Sequence, residues 1–276
     1  MRKARVLFVS QEITPYLDET HIGKIARRLP QAIQEKGKEI RTFMPKYGNI
    51  NERRHQLHEV IRLSGMNIVI NNSDHPLIIK VASIPSGRMQ VYFIDNDDYF
   101  QRKSVLSDKV TGKSFDDNDE RSIFFNRGVI ETVKKLGWAP DVIHCHGWFT
   151  GLTPLYVKKA FSEDPLFAET KIIFTIYDDE FTKSLNKKII DKAIVEGINR
   201  KDLKHIEDAN YINLMKLAID HADGITFGSE KINPELEKYA KKSGKPILEF
   251  KHEGEYCDAC NEFYDMVLED SIVLAD

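Results

Sequence analysis

The order of apolar and polar positions first predicts a strand, a helix and a second strand. Residues 4–10 form a short apolar run rich in β-forming residues, and a strand that is apolar on both sides belongs inside a covered parallel sheet. After a turn through Pro15, apolar residues recur at helical spacing over 22–33, and Gly37 follows near the expected helix end. A second apolar run at 40–44 completes a βαβ unit, the building block of doubly wound sheets.

The next part of the chain carries shorter apolar or alternating runs that are separated by turn-forming residues. They lie at 57–63, 66–70, 77–82 and 89–94. We interpret them as short strands that form a small β-rich insertion. A charged loop over 95–119 follows, and a helix is then predicted from 123 up to Gly137.

Alternation of strands and helices resumes in the second half. Strands are predicted at 141–144, 172–176 and 224–227, and helices at 211–221 and 234–242. The predicted fold class is therefore α/β, a Rossmann-like doubly wound parallel sheet with helices on both faces and a small β-rich insertion. Because no internal repeat or long linker interrupts the pattern, we assign 1–250 to one Rossmann-like domain and 251–276 to a C-terminal tail, expected to be helical.

Composition excludes several classes of partner. The 276 residues are 41% hydrophobic and 30% charged, which is typical of globular proteins. The net charge of −3 comes from interspersed charges, so nucleic acid is not an expected partner. The apolar run at 6–9 is too short for a signal peptide or a bilayer span, so no membrane partner is expected. An odd count of three cysteines fits a reducing compartment, which predicts a cytoplasmic protein.

The segment 140–156 carries the strongest candidate chemistry. It places His144, His146 and Trp148 at the carboxyl end of a predicted strand, which is the edge where open parallel sheets bind ligands. The segment resembles the glycogen and starch synthases, whose pattern is roughly His-x-His-Asp-Trp followed by a glycine-led helix. Further matches to the family lie in the same order at 10–15, 29–30, 44–47, 91–100, 117–125 and 214–229.

This resemblance implies a retaining glycosyltransferase that transfers glucose from ADP-glucose to an α-1,4-glucan. The expected ligands are an α-glucan and ADP-glucose, with no cofactor and no metal. The resemblance also implies that His146 contacts the transferring glucose and that Asp117 holds the donor or acceptor sugar. The competing interpretations are a strand-end histidine that is satisfied by backbone groups and a solvated loop carboxylate.

The chain departs from the family pattern at the donor loop. The family has Lys-Thr-Gly-Gly-Leu-x-Asp at this place, and residues 18–24 of this chain are Asp-Glu-Thr-His-Ile-Gly-Lys. Asp18 therefore replaces the lysine, and Thr20 and His21 replace the two glycines. Lys24 stands in place of the aspartate. Side chains at the glycine positions restrict the approach of backbone N–H groups to a phosphate. An anion at position 18 would repel a diphosphate.

Two more departures lie at strand ends. Gly147 stands where the family has an aspartate before the tryptophan, and Tyr177 and Asp178 stand where it typically has His-Asn. We expect aromatic surface near Trp148, Phe149 and Tyr177 to stack on sugars. The residues assigned to substrate binding are Asp18, His21, Lys24, Gly147, Trp148, Tyr177 and Asp178.

The match reaches only about residue 240 and covers the first of the family's two Rossmann-like domains. Without the second wall of the cleft, we expect little or no turnover by the isolated chain. Two alternatives stay open: a non-catalytic glucan-binding or regulatory protein, and one half of a split synthase. The protein partners considered are a separate C-terminal-half protein and a second copy of this chain in a homo-oligomer.

Shorter motifs have competing interpretations. The triplet 95–97 (Asp-Asn-Asp) has the form of a metal-binding Asp-x-Asp site, although acidic loops are common. Cys257 and Cys260 have the spacing of zinc or redox sites, but they lie in an acidic tail. The lysine-rich stretch 187–204 is interpreted as the solvated face of a helix. The glycine-poor loop after the first strand argues against a dinucleotide site.

Overall fold

The computed structural model describes residues 2–269 of the chain. Its strands are β1 Arg5–Ser10, β2 Glu39–Pro45, β3 His58–Glu59, β4 Met66–Ile70, β5 Ser73–Ile84, β6 Met89–Asp95, β7 Val142–His146, β8 Lys171–Ile176, β9 Gly224–Phe227 and β10 Ile247–Leu248. Its α-helices are α1 His21–Glu35, α2 Glu52–His55, α3 Asp97–Phe100, α4 Asn118–Leu136, α5 Thr153–Leu155, α6 Ile189–Ala193, α7 Tyr211–His221, α8 Pro234–Lys242 and α9 Glu253–Glu269.

The strands form a sheet with the order β10-β9-β8-β7-β1-β2-β6-β5-β3, and β4 pairs with β5 beside it. Pairing is parallel from β10 to β6 and antiparallel where β5 meets β6, β3 and β4. The chain goes from β1 to β2 on one side and later returns to β7 on the other. The topological switch point therefore lies between β1 and β7, which is where doubly wound sheets bind ligands. The predicted fold class and the β-rich insertion are confirmed.

Both faces of the sheet are covered. On one face, Val6 and Phe8 of β1 pack in a cluster with Leu29 of α1 and Tyr264 of α9. On the other face, residues of β1 and β7 join the larger core, to which α4 and α7 contribute. Helix α1 begins where Thr20 accepts a hydrogen bond from the Gly23 N–H at 2.9 Å. Such a cap satisfies one of the N–H groups that have no partner within the helix.

Three predicted elements were wrong in extent or kind. The strand predicted over 57–63 is only two residues long, because the chain turns back through a Leu63 N–H to Val60 carbonyl bond and leaves Ile61 82% exposed. Helix α4 begins at Asn118 rather than at 123, since its polar first turn carries no apolar periodicity. The lysine-rich stretch is not one helix: α6 ends at Ala193, and Gly197 turns with φ +86° before a 3₁₀ segment Arg200–Glu207.

The tail is helical over α9, which packs under the sheet, and residues 270–276 lie outside the described residues. The division of the chain at residue 250 stays a prediction. Within residues 2–269, no helix is long and apolar enough to cross a membrane.

Candidate functional site

A cleft of about 780 Å³ opens at the carboxyl ends of three neighbouring strands. Its floor includes Gln11, which follows β1, and Trp148, which lies two residues after the end of β7. Asp179 lies beside them, in the loop that follows β8. The cleft therefore lies at the topological switch point of the sheet.

Two loops form the walls of the cleft. The first, residues 106–118, turns back on itself through a bridge between Ser107 and Ser114, and the Asn118 side chain donates to the Leu106 carbonyl at 2.8 Å. The second consists of residues 179–188. An ion pair between Asp116 of the first loop and Lys183 of the second joins the two walls. The walls thus present hydroxyl, amide and charged groups together with aromatic rings.

Asp179 links the second wall to the floor. Its carboxylate accepts hydrogen bonds from the Trp148 N–H at 3.0 Å and from the Tyr211 hydroxyl at 2.8 Å. Burial raises the pKa of Asp179 above its ordinary value, although these two donors act in the opposite direction. The Trp148 ring packs edge-on against Phe181 at 4.7 Å between centroids. The loop after β8 is therefore fixed against the loop after β7.

Glycine is required at position 147 by conformation and by space. Gly147 has φ +88°, and a Cβ there would overlap the Gln11 carboxamide and lie 2.7 Å from Gln11 Cγ. The same carboxamide oxygen accepts the Phe149 N–H at 3.3 Å. An aspartate side chain cannot occupy position 147 while Gln11 keeps this place.

His146 lies at the end of β7 but does not line the cleft. It is fully buried, and its Nδ1 lies 2.8 Å from the Tyr177 hydroxyl. Its Nε2 has no hydrogen-bond partner among residues 2–269. Burial lowers the pKa of His146 to about 3, so the imidazole is neutral.

The His144 ring lies 4.0 Å from that of His146 between centroids, but its hydrogen bonds are made to other residues. Its Nδ1 lies 2.6 Å from the Tyr264 hydroxyl of α9, and its Nε2 lies 2.6 Å from Thr175 Oγ1. Thr175 is in turn 2.6 Å from the hydroxyl of Thr226 on β9. The network connects the carboxyl halves of three strands to α9.

Asp117 is bound to a neighbouring arginine. Both oxygens of its carboxylate pair with Arg102, one of them at 2.7 Å. Asp117 itself does not line the cleft, whereas Asp116 and Asn118 on either side do. Its evident effect is to hold the first wall in place at the start of α4.

The donor-loop residues do not gather at the cleft. Asp18 is exposed in a separate depression of about 360 Å³ beside Arg54 and His55. Thr20 caps α1 and donates to the Glu12 carboxylate at 2.8 Å. Burial raises the pKa of Glu12. This side chain pairing occupies the start of α1, where an anion would otherwise meet free N–H groups.

His21 and Lys24 face a small cavity between α1 and α9 rather than the cleft. The Nε2 atom of His21 lies 2.6 Å from the Gly228 carbonyl, after β9, and Lys24 forms an ion pair with Glu19. Asp178 is exposed, and its backbone N–H donates to the Ser229 hydroxyl at 3.1 Å. Of the residues assigned to substrate binding, Trp148 lines the cleft and Gly147 shapes its floor.

The expected aromatic surface differs from the observed one. Trp148, Phe149 and Tyr177 are 4%, 0% and 2% exposed, so the prediction that they form a sugar-stacking surface is wrong. Half-buried Phe115 and Phe181 line the cleft instead. Gln11 and Asp179 were not predicted as site residues, although Gln11 directly follows β1 and Asp179 is the third residue after β8.

The Asp-Asn-Asp triplet and the cysteine pair make contacts that stabilise the fold. Asp95 forms an ion pair with Lys80 at 2.9 Å, and the Asn96 side chain caps α3. Cys260 is buried, and burial raises the pKa of Cys257. No three His, Cys, Asp or Glu side chains are grouped to hold a metal ion within residues 2–269.

The doubly wound sheet and the cleft at its switch point define a Rossmann-like α/β domain with one ligand-binding edge. A sequence profile of the starch synthase catalytic domain matches residues 5–248, and the chain belongs to that family. The predicted resemblance is confirmed.

Individual relatives agree with this assignment. The chain is 34% identical over 235 residues to a glycogen synthase of Chlorobium limicola, which covers 85% of this chain and 47% of that protein. It is 35% identical over 244 residues to a glycogen synthase of Chlorobaculum tepidum, covering 85% of this chain and 48% of the relative. The chain thus spans about half the length of the curated relatives it matches.

A solved structure has the same fold. The catalytic domain of starch synthase IV from Arabidopsis thaliana, bound to ADP and acarbose, superimposes with a TM-score of 0.70 at 18% identity. The match covers 90% of this chain and 51% of that one.

Proposed function

We propose that this chain is the glucan-binding half of a two-domain, GT-B type glucosyltransferase. The family reaction is transfer of glucose from ADP-glucose to an α-1,4-glucan, and by itself this polypeptide performs it weakly or not at all. The observation that carries the proposal is the cleft of about 780 Å³ at the switch point, lined by Phe115, Phe181 and Asp179. Aromatic faces with carboxylate and amide groups suit a sugar chain, which has apolar ring faces and hydroxyl edges.

The donor side argues for low turnover. A departing diphosphate needs cations or free N–H groups beside it. Here Asp18 adds an anion to the loop, and Thr20 and Glu12 occupy the start of α1. His146 is fully buried and cannot meet a glucose while the surrounding residues keep their positions.

We further propose that catalysis requires a second wall, supplied by a separate protein or by additional sequence. The second candidate function is a non-catalytic glucan-binding protein, favoured by an open cleft beside an altered donor loop. The free thiols Cys145, Cys257 and Cys260 support a cytoplasmic location.

Calorimetric titration of the 276-residue chain tests these proposals. Maltoheptaose should bind, and Phe181→Ala should weaken that binding about ten-fold because one stacking face is lost. Phe161→Ala is the matched control, since half-buried Phe161 packs against Phe167 and does not line the cleft. Absence of maltoheptaose binding would refute the glucan-binding proposal.

Titration with ADP-glucose and an incorporation assay separate the two candidates. Glucan binding without nucleotide binding favours the non-catalytic protein. Nucleotide binding without incorporation favours the transferase half that lacks its second wall. Glucose incorporation into glycogen at an ordinary synthase rate by the chain alone would contradict the expected low turnover.

A further inference from the structure

A second, smaller cavity of about 160 Å³ lies between α1 and α9. The part of its lining that is apolar comes from both helices and from the segment that leads into α9: Ile25, Leu29, Phe250, Tyr256 and Cys257. An apolar cavity of about 150 Å³ is large enough to hold a benzene ring. The cavity therefore has room for one small ring or short aliphatic chain.

The rest of the lining is mostly cationic. Lys24, Arg28 and Lys251 line the cavity together with one carboxylate, that of Glu253. Arg28 forms an ion pair with Glu253 and Lys24 with Glu19, whereas Lys251 has no ion-pair partner among residues 2–269. Positive charge at the edge of an apolar space favours a ligand with an anionic end.

This cavity is distinct from the cleft. The two share no lining residue. Phe250, Lys251, Glu253, Tyr256 and Cys257 also lie beyond residues 5–248, the part that matches the starch synthase catalytic domain. Half of the lining residues thus come from α9 and from the segment that leads into it.

We propose that the cavity between α1 and α9 is a binding site for a small amphipathic anion, with an apolar ring or chain inside and a carboxylate at the rim. The apolar part lies against Leu29 and Phe250, and the carboxylate meets Lys251 and Arg28. The proposal is independent of glucan binding in the cleft.

Alkylation of Cys257 by iodoacetamide reports directly on occupancy. Cys257 is half-buried in the cavity wall, whereas Cys145 and Cys260 are buried, and Cys257→Ser gives the background rate. Benzoate is the probe, and benzamide is its neutral counterpart of the same shape. With equal ionic strength in every sample, we expect 50 mM benzoate to slow alkylation about six-fold, as a ligand with a dissociation constant of about 10 mM would.

Charge and shape are tested by separate variants. The double variant Arg28→Gln and Lys251→Gln should lose most of the benzoate protection, and its surface positions should leave the fold intact. Ile25→Phe should fill the space and abolish protection by any probe. Ile25→Phe changes a packed position, so the proposal does not depend on this variant alone. One-dimensional NMR of benzoate binding to the charge variant provides a second measurement.

Several outcomes would overturn the proposal. Benzamide protecting as well as benzoate would remove the anionic specificity. No slowing by benzoate, or equal slowing in the charge variant, would show that the cavity is not a binding site for an anion. Because maltoheptaose binding is measured at the cleft with Phe181→Ala, failure of one site leaves the other separately testable.

Discussion

Gly147 is the residue at which backbone conformation and side-chain crowding act together. Its φ of +88° is unfavourable for any residue with a Cβ, and that Cβ would also meet Gln11. Gly137 also has positive φ, +61°, but a Cβ there would meet nothing within 4 Å. The two positions also differ in ψ, which is 31° at Gly137 and 156° at Gly147. The second combination is adopted essentially only by glycine, so the pair compares mild strain with severe strain plus crowding.

We expect Gly147→Ala to lower the free energy of unfolding by about 3 kcal/mol, because strain and overlap add. Gly137→Ala, with strain alone, should lower it by about 1 kcal/mol. Urea unfolding followed by circular dichroism measures both. Equal losses in the two variants would show that neither the backbone conformation at position 147 nor the overlap with Gln11 adds a cost.

His146 makes stability depend on pH. Its folded pKa is about 3, while an unfolded histidine titrates near 6.5. Below pH 6.5 the unfolded state binds a proton that the folded state does not, so stability falls as the pH falls. From pH 6.5 to 5 this one group should remove about 1.5 kcal/mol.

His146→Gln removes the titrating group while keeping a polar side chain. Urea unfolding at pH 6.5, 5.7 and 5.0 should show a shallower loss of stability in this variant than in the parent chain. The comparison uses the change with pH, so a constant difference in stability does not affect it. Parallel pH dependences would mean that His146 takes up a proton as readily in the folded state as in the unfolded state.

Among the elements, α9 is part of the core. Phe263 lies 3.0 Å from the position of a Cβ on Gly224, and so it covers β9 closely. We expect Phe263→Ala to destabilise the protein by about 3 kcal/mol, since it leaves a cavity against the sheet. Met266, on the same helix and 40% exposed, is the matched control, and Met266→Ala should cost well under about 1 kcal/mol. Similar losses would show that α9 is only loosely attached.

The two cleft walls are connected by an exposed ion pair, Asp116 with Lys183. Exposed pairs contribute little each, so Lys183→Ala should speed amide exchange in residues 106–115 only about two- to five-fold. Hydrogen exchange followed by mass spectrometry measures this. Lys187→Ala serves as the control on the same wall, and the exchanged pair Asp116→Lys with Lys183→Asp should restore slow exchange. Unchanged exchange in Lys183→Ala would show that the walls are held by other contacts.

Elements with a strong local pattern were predictable from the sequence. β1, α1 and β2 follow apolar periods that their burial explains, and α9 was expected to be helical. The helix start at Asn118 and the two-residue β3 were not, because a polar first turn and a reversing chain leave no periodic signal. Gly197 is itself a signal for an interruption of the lysine-rich stretch, but the apolar stripe around it was given more weight.

At the scale of the whole molecule, the sheet connects the β-rich insertion to the central strands, and the clusters of buried apolar residues on its two faces connect both to the helices, including α9. We expect thermal unfolding in one transition, with Cys260 becoming reactive to thiol reagents in the same temperature range as the loss of circular dichroism. Reactivity of Cys260 well below that range would show that α9 unfolds by itself. That result would support a boundary near residue 250.

The position of the cleft was predictable, but its lining was not. A doubly wound order requires ligand-facing groups at the carboxyl ends of β1 and β7, and Trp148 lies there. Whether a strand-end side chain faces the cleft depends on packing from distant segments. Tyr177 holds His146 inward, while Tyr211 holds Asp179 at the cleft, and neither pairing follows from sequence spacing.

The contact between Gly147 and Gln11 limits how this protein could be redesigned. Installing an acid at position 147 alone meets an occupied volume, and shortening Gln11 alone removes an acceptor from the Phe149 N–H. Each single step is therefore unfavourable, although the pair together could be tolerated. A search that changes one codon at a time would be stopped at this point, whereas a library that varies both codons at once would pass it.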